Sequence, residues 1–472
     1  MNFFFTFVTL IGIATAGCTM IPKYQRPAPP VSSHWPENAD TNNFSSSTNA
    51  VAEIGWREFF QDARLQKLIE LSLTNNRDLR VAILNVEQTR AQYRVQRAAL
   101  IPTPNISASG ERQRVAYGFN GQNGTATFNT FNVEAGVASY ELDLFGRVRS
   151  LKRAALETYF ASEENRKAAQ IALVAEVANQ YLTERQLDEE LKVTRQTLDA
   201  VQKSYDLIKA IYDAGVGSEL DLRSAEAQVE TAKVNAESFA LQRDQAQNAL
   251  VLLVGAPLPN DLPPPQMLNG ENLLTDLPPG LPSDLLERRP DILAAEHTLK
   301  SANADIGAAR AAFFPTITLT GGGGTASATL EGLFAPGSQV WNFSPQINWS
   351  VGPATKAEYD AIKTGKKIEI ANYEKAIQTA FREVSDALVA REFLDAQLVD
   401  SKSLVDAQEK RFELADARYK NGVDNYLTVL TAQQDLYSAQ ENLITTQLAR
   451  LANLISLYQS LGGGWQENSP QH

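Results

Sequence analysis

The residue types that usually perform chemistry are few in this chain of 472 residues. There is one cysteine, Cys18, and the three histidines are scattered at His34, His297 and His472. A single cysteine excludes an internal disulfide and any zinc site built on cysteines, and the histidines lack the spacing of metal ligands. The sequence also has no Ser-His-Asp order, phosphate-binding loop or metal motif. We therefore predict no catalytic residue, no cofactor and no metal.

Cys18 itself lies where a covalent modification is expected. Residues 3–16 form an apolar run that ends in small residues, and Gly17 directly precedes the cysteine. The run is too short to span a bilayer as a helix and is typical of a signal peptide. A small residue before a cysteine at this point resembles a bacterial lipobox, in which the thiol is acylated and becomes the mature N-terminus. We expect a signal peptide over 1–17; the alternative is an incidental cysteine after an ordinary cleavage site.

The composition limits the classes of partner. There are 43 basic and 55 acidic residues, which give a net charge of -12, and 43% of the residues are hydrophobic. The negative charge argues against nucleic acid as a partner. The apolar content argues against a disordered chain. Two acyl chains on Cys18 would instead hold the N-terminus at a membrane, because each buried CH₂ contributes about 0.8 kcal/mol.

The chain contains the same arrangement twice. Residues 78–103 reappear as 291–316, and residues 212–225 reappear as 419–432. Each copy reads as a helix, a strand hairpin and a very long helical hairpin, so the duplication sets the architecture. We assign 18–54, which is rich in Pro, Ser and Asn, to an extended lipid-anchored tether, and the two repeats to 55–262 and 263–472. The proline-rich segment 255–283 is predicted to connect the copies and to pack on the helices.

The helical hairpins show a 3.5-residue apolar repeat. It runs from Leu187 to Tyr212 before the first turn and from Leu394 to Tyr419 before the second. Such a repeat predicts supercoiled helix pairs. Arms of roughly 60 residues would be about 90 Å long at 1.5 Å per residue, which no compact domain needs. A further single helix is predicted from Trp56 to Leu100.

The strand hairpins have the pattern of membrane strands. In the second copy, residues 341–351 alternate strictly between apolar and polar, with Trp341 and Trp349 near the ends of the apolar face. Interfacial tryptophans and this length favour a transmembrane strand over a soluble sheet. Two hairpins supply four strands, which cannot close a barrel, and lipid does not tolerate an open edge. The chain must therefore oligomerise. Three copies, which would supply twelve strands, are the economical number, and four copies are the alternative that strand arithmetic leaves open.

Three segments resemble signatures of the TolC-like outer-membrane factors, in the lipoprotein branch that serves multidrug efflux. They are residues 140–147, 281–292 and 422–430, and the resemblance extends from Cys18 to Gly464. It implies a mainly α fold with membrane β structure: a homotrimer with a 12-stranded outer-membrane β-barrel, continued by a long periplasmic α-helical barrel. It also implies docking to a periplasmic adaptor and to an inner-membrane transporter driven by protons. The protein would be a passive exit duct, anchored in outer-membrane lipid.

The resemblance also implies functional residues, which are the residues of this chain at the positions that match the family's sites. The turns of the helical hairpins would be the periplasmic tips that contact the adaptor, namely Gly215, Val216, Gly217, Gly422, Val423 and Asp424. Simple turn chemistry also explains the glycines, and the two interpretations can hold together because tips are turns. The pore constriction is expected just past the second tip, at Leu427 and Thr431. Relatives often carry Asp where this chain has Thr431, so Asp221 and Asp424 are the candidate substitutes, unless they are merely solvated surface.

Two other functions stay open at this point. A periplasmic lipid-anchored adaptor of the same kind of pump would also have a long helical hairpin, but it would lack the duplication. A lipid-anchored hydrolase could use carboxylate pairs, although such pairs arise by chance on solvated helices. We therefore expect the channel function.

Overall fold

The computed structural model describes residues 19–35, 51–119, 122–268, 273–275, 277–278 and 282–469. Cys18, the signal peptide and residues 36–50 of the predicted tether lie outside the described residues. Within the described part of the chain, the elements follow the predicted duplicated order. Among these residues, no helix is both long and apolar enough to cross a bilayer.

The first copy begins with three helices where the sequence predicts one. They are α1 (Trp56–Phe59), α2 (Ala63–Asn75) and α3 (Arg77–Ala98). The single helix predicted from Trp56 to Leu100 is therefore wrong. A new helix starts after Asp62, because the Asp62 carboxylate accepts hydrogen bonds from the first backbone amides of α2. Asn76 does the same for α3, accepting from the amide of Leu79 at 2.9 Å. Both are N-caps, which start a new helix rather than continue an old one.

The remaining elements are the strands and the long helical arms. Strands β1 (Pro104–Phe119) and β2 (Gln122–Leu142) precede α4 (Arg147–Asp213) and α5 (Glu219–Val254). The second copy has α6 (Leu285–Arg288), α7 (Pro290–Ala311), β3 (Thr316–Ser327), β4 (Gln339–Asn348), α8 (Pro353–Lys420) and α9 (Tyr426–Ser460). Helices α4 and α8 have 67 and 68 residues, so each is about 100 Å long at 1.5 Å per residue. The prediction of very long arms is confirmed.

The four strands form one antiparallel sheet in the order β1-β2-β3-β4. Strand β4 ends at Asn348, whereas the alternation predicts a strand to Val351. Its neighbour explains the difference, because β3 begins at Thr316 and Thr316 pairs with Asn348. Pro315 precedes β3 and has no N–H to extend the ladder. Trp349 and Val351 therefore have no strand partner in β3 and lie in the link to α8.

The chain forms two compact units that cut across the sequence repeats. The first, called the sheet unit, comprises residues 1–28, 85–162 and 294–373, of which 19–28, 85–119, 122–162 and 294–373 are described. It contains the sheet and the helical segments that adjoin it. Its buried residues are mainly small and aliphatic, such as Ala154, Ala161, Leu299 and Ile306.

The second unit, called the hairpin unit, comprises residues 29–84, 163–293 and 374–472. It has an aromatic centre in which the Phe59 and Tyr458 rings stack with centroids 4.0 Å apart. The connector packs on this core as predicted: Leu273 forms a bridge with Phe60, and Leu277 is fully buried. The predicted apolar repeat is also buried at many positions, including Leu187, Leu191, Thr194, Val201 and Ile208.

Candidate functional sites

The first helical-hairpin turn closes α4 with a left-handed glycine. Gly215 has φ of 77° and donates its N–H to the carbonyl of Tyr212 at 2.8 Å. Val216 donates to the carbonyl of Ile211 at 3.3 Å. These two bonds form a Schellman motif, which satisfies carbonyls that the helix end leaves free. Ser218 then caps α5 by accepting a hydrogen bond from the amide of Leu220.

The second turn repeats this geometry at the end of α8. Gly422 has φ of 71° and donates to the carbonyl of Tyr419 at 2.9 Å. Val423 donates to the carbonyl of Arg418 at 3.0 Å. Asn425 caps α9, accepting from the amide of Thr428 at 3.2 Å. Since only glycine adopts positive φ without steric cost, turn chemistry accounts for both glycines.

The two turns differ at the position after the valine. A Cβ on Gly217 would lie 2.7 Å from the backbone nitrogen of Tyr212, so the first turn is closely packed there. The matching residue of the second turn is Asp424, whose carboxylate accepts from Arg418 at 2.6 and 3.0 Å. Hydrogen bonding by Arg418 lowers the pKa of Asp424 from its ordinary value. One turn is therefore held by close backbone contact and the other by an ion pair.

Both turns present an exposed valine at their ends. Val216 is 81% exposed and Val423 is 61% exposed. Each follows a glycine that fixes the backbone, so the two side chains project from ordered turns.

The long helices that adjoin the two turns pack together, so helices of the first repeat contact helices of the second repeat within one chain. One apolar cluster draws on all four long helices, and its buried members are Ile208, Ala225, Ala415, Tyr426, Val429 and Ala432. Burial, together with nearby Tyr419 and Asp221, raises the pKa of Tyr426 to about 12. The frequent alanines permit the close approach that the sequence predicts for these helices.

The predicted constriction residues occupy different environments in this region. Leu427 is 62% exposed, and Thr431 lies one turn further along α9, with its hydroxyl donating to the carbonyl of Leu427. Asp221 is partly buried near the second turn, where its charge reaches Tyr426. Asp424 is compensated by Arg418 within the turn. Leu427 and Thr431 are thus exposed near the second turn, whereas Asp221 and Asp424 are partly buried there.

The predicted interfacial aromatics are exposed in the single chain. Trp341 is 83% exposed on β4, and Trp349 is 71% exposed in the link after it. The indole N–H of Trp349 donates to the carbonyl of Phe313 at 3.2 Å, which orients the ring. Phe343 and Ile347 of the same alternating face are 64% and 67% exposed. Strand β4 therefore offers an uncovered apolar face at one edge of the sheet.

Sequence reasoning missed a buried carboxylate in the sheet unit. Glu296 on α7 accepts hydrogen bonds from Arg26 at 2.7 and 3.0 Å and from the hydroxyl of Tyr24 at 3.1 Å. Burial alone would raise its pKa, but the bonds from Arg26 and the charge of Lys300 outweigh burial and lower the pKa. Glu296 lies on the apolar face of α7, one turn after Ile292. A charged residue at a position where the helical pattern expects an apolar one was the signal in the sequence that could have identified this cluster.

Glu296 is part of a longer contact along α7. Residues 19–28, called the N-terminal strap, run beside this helix without helical or strand structure. Asn303 donates to the carbonyl of Pro22 at 2.8 Å, and Arg310 donates to the carbonyl of Met20 at 3.3 Å. At Gly307 an added Cβ would lie 2.9 Å from the nitrogen of Ile21, so the glycine makes room for the strap.

A second missed cluster lies in the hairpin unit. The guanidinium of Arg289 is buried and contacts Asp291 at 2.6 Å, Glu383 at 2.8 Å and the carbonyl of Ser460 at 2.9 Å. Burial opposes its charge, but the bonds to Asp291 and Glu383 outweigh burial and raise the pKa of Arg289. Arg289 thus ties the start of α7 to α8 and to the end of α9.

These clusters are not metal sites. Within the described ranges, no group of His, Cys, Asp and Glu is arranged to hold a metal ion. The polar clusters pair acids with bases, which is how buried charges are stabilised.

Comparison with known proteins gives a consistent result. Residues 68–256 and 281–463 match the family described as outer membrane efflux protein. The chain is 48% identical to the toluene efflux pump outer membrane protein TtgC of Pseudomonas putida, over 96% of this chain and 94% of that protein. It is 43% identical to the outer membrane protein OprJ of Pseudomonas aeruginosa, over 97% of this chain and 95% of that protein.

A solved structure supports the same relation. The open state of the Neisseria gonorrhoeae MtrE outer membrane channel aligns with a TM-score of 0.87 and 42% identity, covering 96% of this chain and all of that one. MtrE is an outer membrane channel and TtgC is an outer membrane protein of an efflux pump, which favours the channel prediction over the adaptor and hydrolase alternatives. The chain belongs to the outer membrane efflux protein family and is a subunit of an outer-membrane efflux channel.

Proposed function

We propose that three copies of this chain form a passive exit duct for small molecules, including drugs and apolar solvents. The observation that carries the proposal is the four-stranded sheet with two open edges, β1 and β4, and an exposed apolar face on β4. In lipid every backbone N–H and C=O must be paired, so the edges of one copy must meet those of others. Three copies supply twelve antiparallel strands, and the helical arms continue the duct.

The proposed class of exported compound is inferred from the names of the relatives. Relatives at 43–48% identity carry names such as toluene efflux pump outer membrane protein and antibiotic efflux pump outer membrane protein. A duct of this kind needs to be wide and wet rather than selective. We therefore assign the choice of compound mainly to an inner-membrane transporter driven by protons.

The hairpin tips are the proposed docking points for a periplasmic adaptor. Gly215 and Gly422 order the turns, and Val216 and Val423 are exposed on them. Gly217 and Asp424 complete the two tips. Docking there would open a constriction formed by residues near the second tip, for which we keep Leu427, Thr431, Asp221 and Asp424 as candidates.

Replacing Gly215 or Gly422 with valine tests the tips. No atom lies within 4 Å of an added Cβ at either position, so the effect would come from the positive φ. A β-branched residue there costs roughly 1–2 kcal/mol, which the exposed turn can relieve by changing shape. We expect reduced drug export, measured as a lower inhibitory concentration, from trimers of normal amount. Gly352→Val is the control, because Gly352 is also open but lacks positive φ. Loss of the trimer in the tip variants would assign the turns to folding instead.

We also propose that Cys18 is acylated and holds the N-terminus in the outer membrane. The strap that follows it is fixed along α7, because Asn303 binds its backbone and its own Tyr24 and Arg26 bind Glu296. Such attachment suits a segment that connects the fold to a membrane anchor. Cys18→Ser is expected to abolish incorporation of labelled palmitate into the protein. Continued incorporation would show that the lipobox interpretation is wrong.

The proposed trimer is tested by the native mass of the protein extracted in detergent from purified outer membranes. The expected result is three chains per particle, each with the mass of the chain from Cys18 plus acyl chains. A monomer in the soluble periplasmic fraction would leave four unclosed strands, and the duct proposal would fail with them.

A further inference from the structure

One face of the β1–β2 hairpin changes from apolar to basic along its length. On β1, Ile106, Ala108 and Gly110 are followed on that face by Arg112 and Arg114, because side chains alternate between the two faces of a strand. All five residues are exposed. The two arginines, called the basic patch, therefore end an exposed apolar run with two positive charges.

Strand pairing puts the basic patch on the same side of the sheet as Trp341. Ile106 pairs with Ala135, and Ala135 pairs with Gly323. Gly323 in turn pairs with Trp341. Residues directly opposite each other on neighbouring strands project from one face, and the patch lies six and eight residues beyond Ile106. These even intervals keep the patch on the apolar face, which meets lipid in an outer-membrane channel.

The distance along the strand places the basic patch at the outer edge of the membrane. Strand β1 begins at Pro104, next to the helices, and Arg112 lies eight residues further on. At about 3.4 Å per residue and a tilt of about 40°, Arg112 and Arg114 are roughly 21 and 26 Å above that start, whereas the apolar band is about 25 Å tall. Trp341 lies at a similar distance, seven residues before the end of β4 at Asn348. A lipid-facing arginine is costly at the midplane but costs little at this interface.

No carboxylate of the hairpin compensates the basic patch. Between residues 104 and 137 the acidic residues are Glu111 and Glu134, and both occupy positions on the opposite face. Glu134 there accepts a hydrogen bond from the amide of Asn342 at 2.9 Å. Arg114 donates to the hydroxyl of Thr125 at 2.9 Å, and among the described residues neither arginine forms an ion pair. Two guanidinium charges are thus left for a partner outside the chain.

We propose that the basic patch binds the phosphate of a lipid in the outer leaflet of the membrane. A guanidinium presents a planar fork of N–H donors that matches a phosphate group. Asn129 pairs with Arg112 and Thr127 pairs with Arg114, so an amide and a hydroxyl border the patch on the same face. The inference rests on the membrane position of the sheet and not on the number of copies or on what passes through the channel.

The surface beside the basic patch indicates a lipid rather than a soluble anion. The ring of Phe131 lies over Gly110, where an added Cβ would be 3.1 Å from the Phe131 Cδ1 atom. Ile106 is 78% exposed further down the same face. Acyl chains can cover this apolar surface while the phosphate contacts the arginines. A phosphate without acyl chains would use only the upper part of the site.

Lipid titration tests the proposal on the unaltered full-length protein, purified in detergent. The probes are lipid A, which is a phosphorylated glycolipid of the outer leaflet, dephosphorylated lipid A with the same acyl chains, and inorganic phosphate. Native mass spectrometry counts the bound molecules. We expect one lipid A per chain, bound at least tenfold more tightly than the dephosphorylated form, and no displacement of lipid A by inorganic phosphate at equal concentration.

Charge-removing variants assign the binding to the basic patch. Arg112→Gln with Arg114→Gln is expected to weaken lipid A binding at least tenfold, whereas Arg112→Lys with Arg114→Lys keeps the charge and should retain part of the affinity. The matched control is Arg223→Gln with Arg382→Gln, which removes two charges from α5 and α8. These two side chains are 64% and 72% exposed, and they lie outside the sheet. The control should bind lipid A as the unaltered protein does.

Three results would each overturn the proposal. The first is equal binding of phosphorylated and dephosphorylated lipid by the unaltered protein, which decides the matter even if the glutamine variant does not assemble. The second is lipid A binding by the glutamine variant that equals binding by the control variant. The third is displacement of lipid A by inorganic phosphate, which would assign the arginines to a soluble anion. The duct proposal is tested separately, by native mass and by export.

Discussion

Replacing Arg289 with methionine is expected to lower the free energy of unfolding by about 2 kcal/mol, because the buried carbonyl of Ser460 loses its donor and two partly exposed carboxylates lose the charge between them. The side chain is only 9% exposed and contacts two carboxylates and the carbonyl of Ser460. Methionine fills a similar volume but donates no hydrogen bond. Asp291 and Glu383 would then face each other without the charge between them. Thermal unfolding of the detergent-extracted protein, followed by circular dichroism, measures the loss.

The matched control for this prediction is Arg382→Met. Arg382 lies in the same unit, and its pair with Asp386 is 4.0 Å long with both side chains more than 70% exposed. Exposed pairs of this kind contribute between zero and about 1 kcal/mol. Comparing the two variants therefore shows how much of the lost stability comes from the burial of the Arg289 charge and how much from the loss of any arginine. Equal stability of the Arg289 and Arg382 variants would show that the buried cluster is not a structural tie.

Replacing Glu296 with glutamine is expected to free the N-terminal strap. The variant keeps the shape of the side chain but removes the charge that Arg26 and Lys300 contact. Charge-assisted bonds contribute roughly 1.5–3 kcal/mol each, so local opening should rise at least tenfold. The readout is tryptic cleavage after Lys23, which is exposed within the strap. Cleavage there would also separate the protein from an acylated Cys18.

A neutral control is available in the same unit. Glu358 is exposed on α8, and Glu358→Gln removes the same charge without touching the strap. Its cleavage rate should match that of the unaltered protein. If Glu296→Gln is cut no faster than this control, the strap is held by its backbone contacts and not by Glu296.

The lowered pKa of Glu296 also predicts a pH dependence of the strap. Because the folded pKa lies below the unfolded value of about 4.3, the stabilisation is fully present above that value. It is lost as pH falls through the folded pKa. Hydrogen exchange of residues 19–28, corrected for the intrinsic rate, should therefore rise below about pH 4 in the unaltered protein. The glutamine variant should show high exchange at pH 7 already and little further change.

Repetition and periodicity made most of the fold predictable from the sequence. The duplicated turns around Gly215 and Gly422, the 3.5-residue repeat and the alternating strand are patterns over many residues. The turns and the long helices were found where predicted, and the strand was found apart from its end. The strand end was wrong at Trp349 because it depends on where the neighbouring strand starts, and no local pattern records that.

The site residues were harder to predict because they depend on partners distant in sequence. Glu296 meets Arg26 across 270 residues, and Arg289 meets Ser460 across 171. The sequence contains these residues but not their proximity, which follows from how the helices pack. Asp424 shows the same limit at short range, since Arg418 occupies its carboxylate only once the turn is formed.

The near-equal lengths of the repeated helices restrict how this protein can change in evolution. Helices α4 and α8 differ by one residue, and so do α5 and α9, which have 36 and 35 residues. One inserted residue turns everything beyond it by about 100° and advances it by about 1.5 Å, so a single insertion would carry one tip off the level of the other and rotate its apolar face outward. Seven residues restore the facing to within about 20°. Lengthening is therefore expected in steps of seven, made in both arms of both hairpins, so that the length of an arm changes by whole heptads.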